Sequence, residues 1–142
     1  MVVAVRVRVR LRSRGRAVET SALANTGFES DREEVLLPVG LAERLGLWPP
    51  PPGSPTETYV SASGYMRVLR VPGALEVSVI TEEGERGGVR ADAVIAELAD
   101  EVLLNDKTIS ALRIVLEDPG GGLWRFRGEE RLRRTERPQR WL

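Results

Sequence analysis

The chain has 142 residues, and its 21 basic and 21 acidic side chains give a formal net charge of zero. It contains no cysteine and no histidine, which excludes a disulfide scaffold, a thiol nucleophile, the Ser-His-Asp arrangement and the common zinc sites. Catalysis would therefore depend on carboxylates, hydroxyls, amides or the single lysine, Lys107. The zero net charge argues against a dedicated nucleic-acid-binding protein.

Residues 2–12 alternate between apolar and arginine side chains, which predicts a strand with one buried face and one charged, solvent-facing face. We call the alternating basic residues from Arg6 to Arg16 the arginine ladder. The ladder could bind phosphates or contribute to a dimer contact, but the zero net charge and few aromatic residues favour a solvated strand face. Because these arginines interrupt the apolar N-terminus and no apolar run reaches about 18 residues, we expect a cytoplasmic protein that does not enter membranes.

A turn at Gly15 leads to a second predicted strand over residues 16–24, which ends in Asn25-Thr26-Gly27. A polar loop over 29–34 precedes a short buried strand at 35–37, and Pro38 then introduces a short helix. Thr56 to Val71 reads as a hairpin that bends at Ser61-Ala62-Ser63-Gly64.

Strands are predicted next at 75–81 and 89–97, and the glycine-rich residues 82–88 between them predict a turn. A short buried strand at 102–104, a helical turn around Ile109, and strands at 113–117 and 123–126 follow. From Gly128 onward the chain is polar and arginine-rich, which is typical of a partly mobile tail. We expect Trp141 to dock on the domain or on a partner.

Residues 34–47 and 101–114 resemble each other at a constant offset of 67 residues. Both begin Glu-Val-Leu-Leu and continue into a helical pattern that closes on an apolar residue. Two copies are too few for a solenoid. They predict two halves of one barrel-like domain related by a pseudo-twofold axis.

Asn25-Thr26-Gly27 differs by one side-chain atom type from Asp-Thr-Gly, the signature of aspartic peptidases. With the downstream strand and helix, the hairpin and the repeat, the segment from Arg16 to Phe126 resembles the retropepsin-like family of dimeric aspartic peptidases. The resemblance implies a mostly β, closed barrel with an internal pseudo-twofold repeat and one or two short helices. We expect a single domain at 1–127 and a polar, arginine-rich tail at 128–142, although the N-terminal arginine strand and this tail lie outside the resemblance. At Asn105 the chain departs from the glycine that the family commonly has.

In that family two aspartates, one from each subunit, share a proton and activate a water molecule. The resemblance therefore implies a homodimer that acts on extended peptides without a metal or organic cofactor. It gives Asn25 the place of the catalytic aspartate, with Thr26 bracing the loop and Gly27 permitting the tight turn. An amide cannot act as a general base, so we predict that the chain as written is inactive. The residues expected to bind substrate or to form the flap over it are Phe28, Ser61, Ala62, Ser63, Gly64 and Tyr65.

Two origins of Asn25 remain open in the sequence. A natural asparagine would give a non-catalytic homodimer that binds peptides or proteins, whereas an Asp→Asn exchange introduced on purpose would give a trapped peptidase. A basic-edged nucleic-acid-binding β-domain is a more distant alternative. The other candidate carboxylates are interpreted as solvated surface acids: Asp31, Asp92, Asp100 and Asp106.

Overall fold

The computed structural model describes residues 4–61 and 64–142, without the side chains of residues 60 and 61. No helix in these ranges has the length and apolar character needed to cross a membrane. The strands and helices are β1 (Arg6–Ser13), β2 (Arg16–Ala24), β3 (Glu34–Pro38), α1 (Val39–Arg44), β4 (Thr56–Ser61), β5 (Gly64–Thr81), β6 (Gly84–Ala96), β7 (Val102–Leu104), α2 (Asp106–Ala111), β8 (Ile114–Asp118), β9 (Leu123–Phe126) and β10 (Arg133–Arg134).

Six strands close into a barrel in the order β1-β2-β7-β3-β6-β5, because β1 also pairs with β5. The predicted alternation of β1 is confirmed within the described residues, since Val7, Val9 and Leu11 are fully buried while the arginines between them are half-buried. These side chains join the barrel core with those of the other strands and of both helices. The fold is therefore mostly β, with a closed barrel and two short helices, as expected. Among the residues that the structure describes, β4 pairs only with β5, and it extends the sheet outside the barrel.

The two copies of the sequence repeat form corresponding strand–helix units. Helix α1 starts at Val39 and α2 starts at Asp106, which preserves the 67-residue offset. The strand pairing is reciprocal: β3 lies parallel to β6, β7 lies parallel to β2, and β3 and β7 are antiparallel to each other. Each unit thus pairs with the strand that precedes the other unit, which is the arrangement that a pseudo-twofold relation requires.

The middle of the chain differs from the sequence prediction. The second strand of the hairpin expected at 56–71 and the strand expected at 75–81 form one long strand, β5. A register shift between Val71 and Leu75 accommodates Pro72 and Gly73 without ending the strand. β6 begins at Gly84 rather than near residue 89. Gly87 has a φ of 136° and lies beside a second register shift in the pairing of β5 with β6. A Cβ at Gly87 would lie 2.7 Å from the carbonyl oxygen of Val77. This glycine allows a close approach of two strands rather than a turn.

Residues 128–142 lie along the barrel instead of forming a loose extension. Arg133 and Arg134 pair with β9, and the amide of Glu136 donates to the carbonyl of Arg6 at 2.8 Å. Trp141 docks on its own chain: its amide donates to the carbonyl of Asp100 at 2.7 Å and its indole Nε1 donates to Thr20 Oγ1 at 2.9 Å. Backbone pairing and a docked aromatic ring hold this polar segment in place.

The β1 part of the arginine ladder is ion-paired rather than simply solvated. Arg8 Nε lies 2.9 Å from Glu136, and Glu85 bridges Arg10 at 2.5 Å and Arg12 at 2.7 Å. Hydrogen bonding by Arg12 lowers the pKa of Glu85 to about 2. Arg6 in turn pairs with the buried Glu101. The neighbouring strands and the C-terminal segment therefore supply the acids that neutralise this face.

Candidate functional site

Asn25 lies directly after β2, where the chain turns out of the barrel wall. Its amide donates to the carbonyl of Leu104 at 3.0 Å, and its carbonyl accepts from the amide of Phe28 at 3.1 Å. Its side-chain Oδ1 accepts from the amide of Gly27 at 3.1 Å. The backbone and the side chain of Asn25 are thus both fixed by hydrogen bonds. A carboxylate oxygen at the same place could accept the same bond from Gly27.

Gly27 is needed for space rather than for an unusual backbone angle. Its φ lies outside the left-handed region, but a Cβ at this position would lie 3.3 Å from Asn25 Oδ1. A side chain at position 27 would therefore crowd Asn25 Oδ1, the atom to which the amide of Gly27 donates. Thr26 beside it is exposed, and its hydroxyl makes no hydrogen bond to any residue of the described ranges. The loop consequently presents an unused hydroxyl next to the fixed Asn25 side chain.

A cleft of about 720 Å³ lies next to this loop. Leu36 and Leu103, from the outer faces of β3 and β7, line it together with Met66 and Tyr59 from the β4–β5 hairpin. The strands β3 and β7 are therefore apolar on both faces: one face packs in the barrel core and the other contributes to a second hydrophobic cluster. The complete lining is Asn25, Gly27, Phe28, Glu29, Ser30, Asp31, Leu36, Thr58, Tyr59, Met66, Arg70 and Leu103.

The cleft contains three of the predicted site residues, namely Asn25, Gly27 and Phe28. Phe28 contacts Tyr59 edge to face, with ring centroids 5.9 Å apart. The expected flap corresponds to the β4–β5 hairpin, where Ser61 pairs with Gly64. Gly64 and Tyr65 do not line the cleft, and Tyr65 is 82% exposed. The expected tip residues Ala62 and Ser63 lie outside the described residues.

A charged network, here called the Arg70 cluster, borders the cleft and consists of Arg70, Glu34, Glu57, Tyr59 and Asp92. Arg70 Nη1 donates to the buried Glu34 and, at 3.0 Å, to Asp92 Oδ2. Arg70 Nε and Nη2 bind Glu57 at 2.9 and 2.8 Å, and Nη2 also contacts the hydroxyl of Tyr59. That hydroxyl donates to Glu34 Oε1 at 2.9 Å. The cluster connects the hairpin to the barrel wall across β4, β5, β6 and β3.

Hydrogen bonding favours the charged forms of Arg70 and Glu57. Glu57 raises the pKa of Arg70, and Arg70 in turn lowers the pKa of Glu57. Burial, followed by the hydrogen bond to Glu34, raises the pKa of Tyr59, so its hydroxyl stays protonated and acts as a donor. The ion pair of Arg70 with Glu57 and the protonated hydroxyl of Tyr59 therefore connect the hairpin to the barrel wall.

Asp92 corrects one sequence interpretation. It was expected to be a solvated surface acid, but it is 5% exposed. It lies opposite Glu34 in the parallel pairing of β3 and β6, and its Oδ1 accepts from the amide of Gly73 at 2.7 Å. Register across two strands, which the sequence does not reveal, places it beside Arg70.

Asn105, which stands where the resembling family commonly has glycine, is fully buried and well bonded. Its Oδ1 accepts from the amides of Glu34 at 3.0 Å and Thr108 at 2.9 Å and from the Thr108 hydroxyl at 2.7 Å. Its Nδ2 donates to the carbonyl of Arg32 at 2.8 Å. One side chain thus caps α2 and joins it to the loop that leads into β3.

The chemistry available in the cleft is limited by the amide at position 25. Asn25 can donate and accept hydrogen bonds, but it cannot take a proton from water at neutral pH. The carboxylates of the lining, Glu29 and Asp31, are exposed on the loop after Phe28. No group of acidic residues within the described part of the chain is arranged to hold a metal ion.

The sequence interpretation missed the cleft residues Leu36, Tyr59, Met66, Arg70 and Leu103. The uninterrupted apolar runs at 35–37 and 102–104 were a usable signal, because a strand buried on one face would alternate. No comparable local signal marks Arg70. Comparison with models of known protein families and with curated proteins finds no match.

Proposed function

We propose that the chain is a retropepsin-like aspartic endopeptidase scaffold that works as a homodimer and holds an extended peptide in the cleft beside Asn25. Hydrolysis on this scaffold requires a carboxylate at position 25, so the chain as written is inactive. The observation that carries the proposal is the loop geometry, in which the amide of Gly27 fixes the Asn25 side chain at the edge of a large cleft.

The barrel supports this proposal through its pairing pattern. The turn after β2 and the turn at the end of β6 are closed by equivalent backbone bonds, from the amide of Phe28 to the carbonyl of Asn25 and from the amide of Ala99 to the carbonyl of Ala96. These turns are offset by 71 residues rather than 67, because the segment from Asn25 to Glu34 is four residues longer than the segment from Ala96 to Glu101. Two related turns thus follow two related strands, as a scaffold with internal symmetry requires. The second turn has no side chain beyond Cβ at the position that matches Asn25, since Ala96 stands there. One chain therefore supplies a single candidate group, and a dyad needs a second copy.

The exposed Thr26 supports contact between two copies at this loop. Its hydroxyl has no partner within the described part of its own chain, so it is available to brace the loop of another subunit. The C-terminal residues are used differently, because Trp141 is already bonded to Thr20 and Asp100 of its own chain. The proposed dimer contact therefore centres on the Asn25 loop and the nearby hairpin rather than on the C-terminus.

Two aspartates that face each other across such a contact could share one proton, with one accepting a proton from water and the other donating to the scissile carbonyl. Two asparagines provide hydrogen bonds without basicity. Loss of one general base commonly lowers the rate about 10²–10⁴-fold. Loss of both members leaves a site that binds peptide without cleaving it.

The test compares the chain as written with Asn25→Asp and Asn25→Ala, using a diverse library of internally quenched peptides and sedimentation to establish the assembly state. We expect turnover by Asn25→Asp alone, with a bell-shaped pH dependence that reports a coupled carboxylate pair. Asn25→Ala serves as the matched control, since it keeps the fold but offers neither an acid nor an amide. A folded, dimeric Asn25→Asp protein without turnover would refute the peptidase scaffold.

The second candidate is a non-catalytic homodimer that binds peptides or proteins in the same cleft. It is favoured by the fit of Asn25 itself, whose Oδ1 satisfies the amide of Gly27 without any carboxylate. Saturable peptide binding by both the chain as written and an inert Asn25→Asp variant would support it. The structure gives little support to nucleic-acid binding by the arginine ladder, because the ladder arginines on β1 are paired with glutamates.

A further inference from the structure

A second concave site lies at the turn between β1 and β2, away from the Asn25 cleft. Its volume is about 380 Å³, and it shares no lining residue with that cleft. Its lining is strongly basic although the chain as a whole is neutral. The charged residues that line it are Arg12, Arg14, Arg16, Arg90 and Glu76.

Three of these arginines have no acidic partner. Arg14, Arg16 and Arg90 form no ion pair with any residue in the described ranges, whereas Arg12 lies 2.7 Å from Glu85. Arg14 donates one hydrogen bond to the carbonyl of Gly46 at 3.1 Å, and Arg90 donates one to the carbonyl of Gly73 at 2.8 Å. A guanidinium has five N–H donors. Most of the N–H donors of these three arginines therefore have no partner within the described residues.

The turn itself shows one further feature. Arg14 has a φ of 51° and Gly15 a φ of 78°, so an arginine occupies a left-handed position that turns of this kind usually give to asparagine, aspartate or glycine. A strained backbone position at a concave site is a feature that a bound ligand would explain.

We propose that this pocket binds the phosphate group of a small phosphorylated ligand. The planar donor forks of arginine match the oxygens of a phosphate, and three arginines without an acidic partner in the described ranges line one pocket. The volume exceeds the need of a single phosphate group, so it leaves room for the part of the molecule that carries it. No aromatic side chain lines the pocket, and stacking of nucleic-acid bases would require one.

The test titrates the full chain with inorganic pyrophosphate at constant ionic strength, followed by calorimetry. Arg16→Gln and Arg90→Gln should each weaken binding by about tenfold, which is the loss expected for a charge-assisted hydrogen bond. Both side chains are exposed, so the fold should be retained, which circular dichroism can verify. Arg127→Gln is the matched control: it removes the same charge from another exposed, unpaired arginine and should leave the affinity unchanged.

Absence of saturable binding at millimolar pyrophosphate would overturn the proposal, as would equal loss in Arg16→Gln and Arg127→Gln. A single-stranded oligonucleotide or vesicles with anionic phospholipid are titrated in parallel. If either binds through Arg16 and Arg90 while pyrophosphate does not, the surface recognises a polymer or a membrane and the small-ligand assignment is wrong. Because no residue of the pocket lines the Asn25 cleft, these outcomes are independent of peptidase activity.

Discussion

Replacement of Arg70 by methionine should cost much of the stability of the fold. Glu34 and Asp92 side chains are only 2% and 8% exposed, and Arg70 Nη1 is bonded to both. Without it, Glu34 keeps the hydroxyl of Tyr59 and Asp92 keeps the amide of Gly73. Removal of one partner from a buried ion pair typically costs about 3–5 kcal/mol, because the remaining charge is uncompensated. For a domain of this size the melting temperature should fall by about 10–15 °C.

Urea unfolding of four proteins tests this reasoning: the chain as written, Arg70→Met, Glu34→Gln and the double variant. Since Glu34→Gln removes one of the stranded charges, the double variant should be more stable than the sum of the single changes by about 1–3 kcal/mol. Arg67→Met is the control, because Arg67 lies on the same strand but is exposed and unpaired among the described residues. It should change stability by less than about 0.5 kcal/mol. A loss below about 1 kcal/mol in Arg70→Met, or strict additivity in the cycle, would refute a buried charge network.

Three further outcomes follow from other contacts. Asn105→Ala should cost about 3 kcal/mol or more in urea unfolding, because the amides of Glu34 and Thr108 lose their acceptor; a cost below about 1 kcal/mol would contradict the capping role. Trp141→Phe should cost about 1 kcal/mol through loss of the indole bond to Thr20, and unchanged stability would show that the tail does not dock this way. The pKa of Glu85 is lowered from 4.5 to about 2. Its contribution to the stability of the fold is therefore complete above pH 4.5 and is lost as the pH falls toward 2. Glu85→Gln should flatten the dependence of the melting temperature on pH between pH 4.5 and 2, and an unaltered dependence would contradict the ion pairs of Glu85 with Arg10 and Arg12.

The regular elements of this fold were predictable where a strong local pattern coincided with clear ends. The strands at 102–104 and 123–126 were predicted with their observed bounds, and the repeat placed both helices. The differences fall on β5 and β6, where the sequence prediction leaves residues 72–74 outside the strands and assigns 82–88 to a turn. In the barrel Pro72, Gly73 and Gly87 lie at or beside register shifts in the pairing of β5 with β6, and that pairing resumes beyond each shift. Local sequence signals cannot show whether a second strand is present to sustain the pairing.

The candidate site divides in the same way. Asn25, Gly27 and Phe28 belong to one loop, and their grouping is a property of the sequence itself. Arg70 reaches its partners only through register: it is the diagonal neighbour of Glu57 across β4–β5, and Glu34 faces Asp92 across β3–β6. Strand order β3-β6-β5-β4 had to be known before these residues could be grouped. Such a cluster is therefore a result of topology and not of any motif.

The arginine ladder shows why the net charge of a chain is a poor guide to its local charge. Arg10 lies opposite Glu19 on β2, and Arg12 lies opposite Glu76 on β5, so register itself supplies an acid to each. The pairing of β1 with β2 ends at Ser13 and Arg16, and Arg14 lies in the turn beyond it, where no residue is opposite. The same residue type is thus neutralised along the strand and unpaired at its end. The ion pairs along β1 argue against anion binding by the strand face, but they have no bearing on the turn, where the pairing that cancels the charge stops.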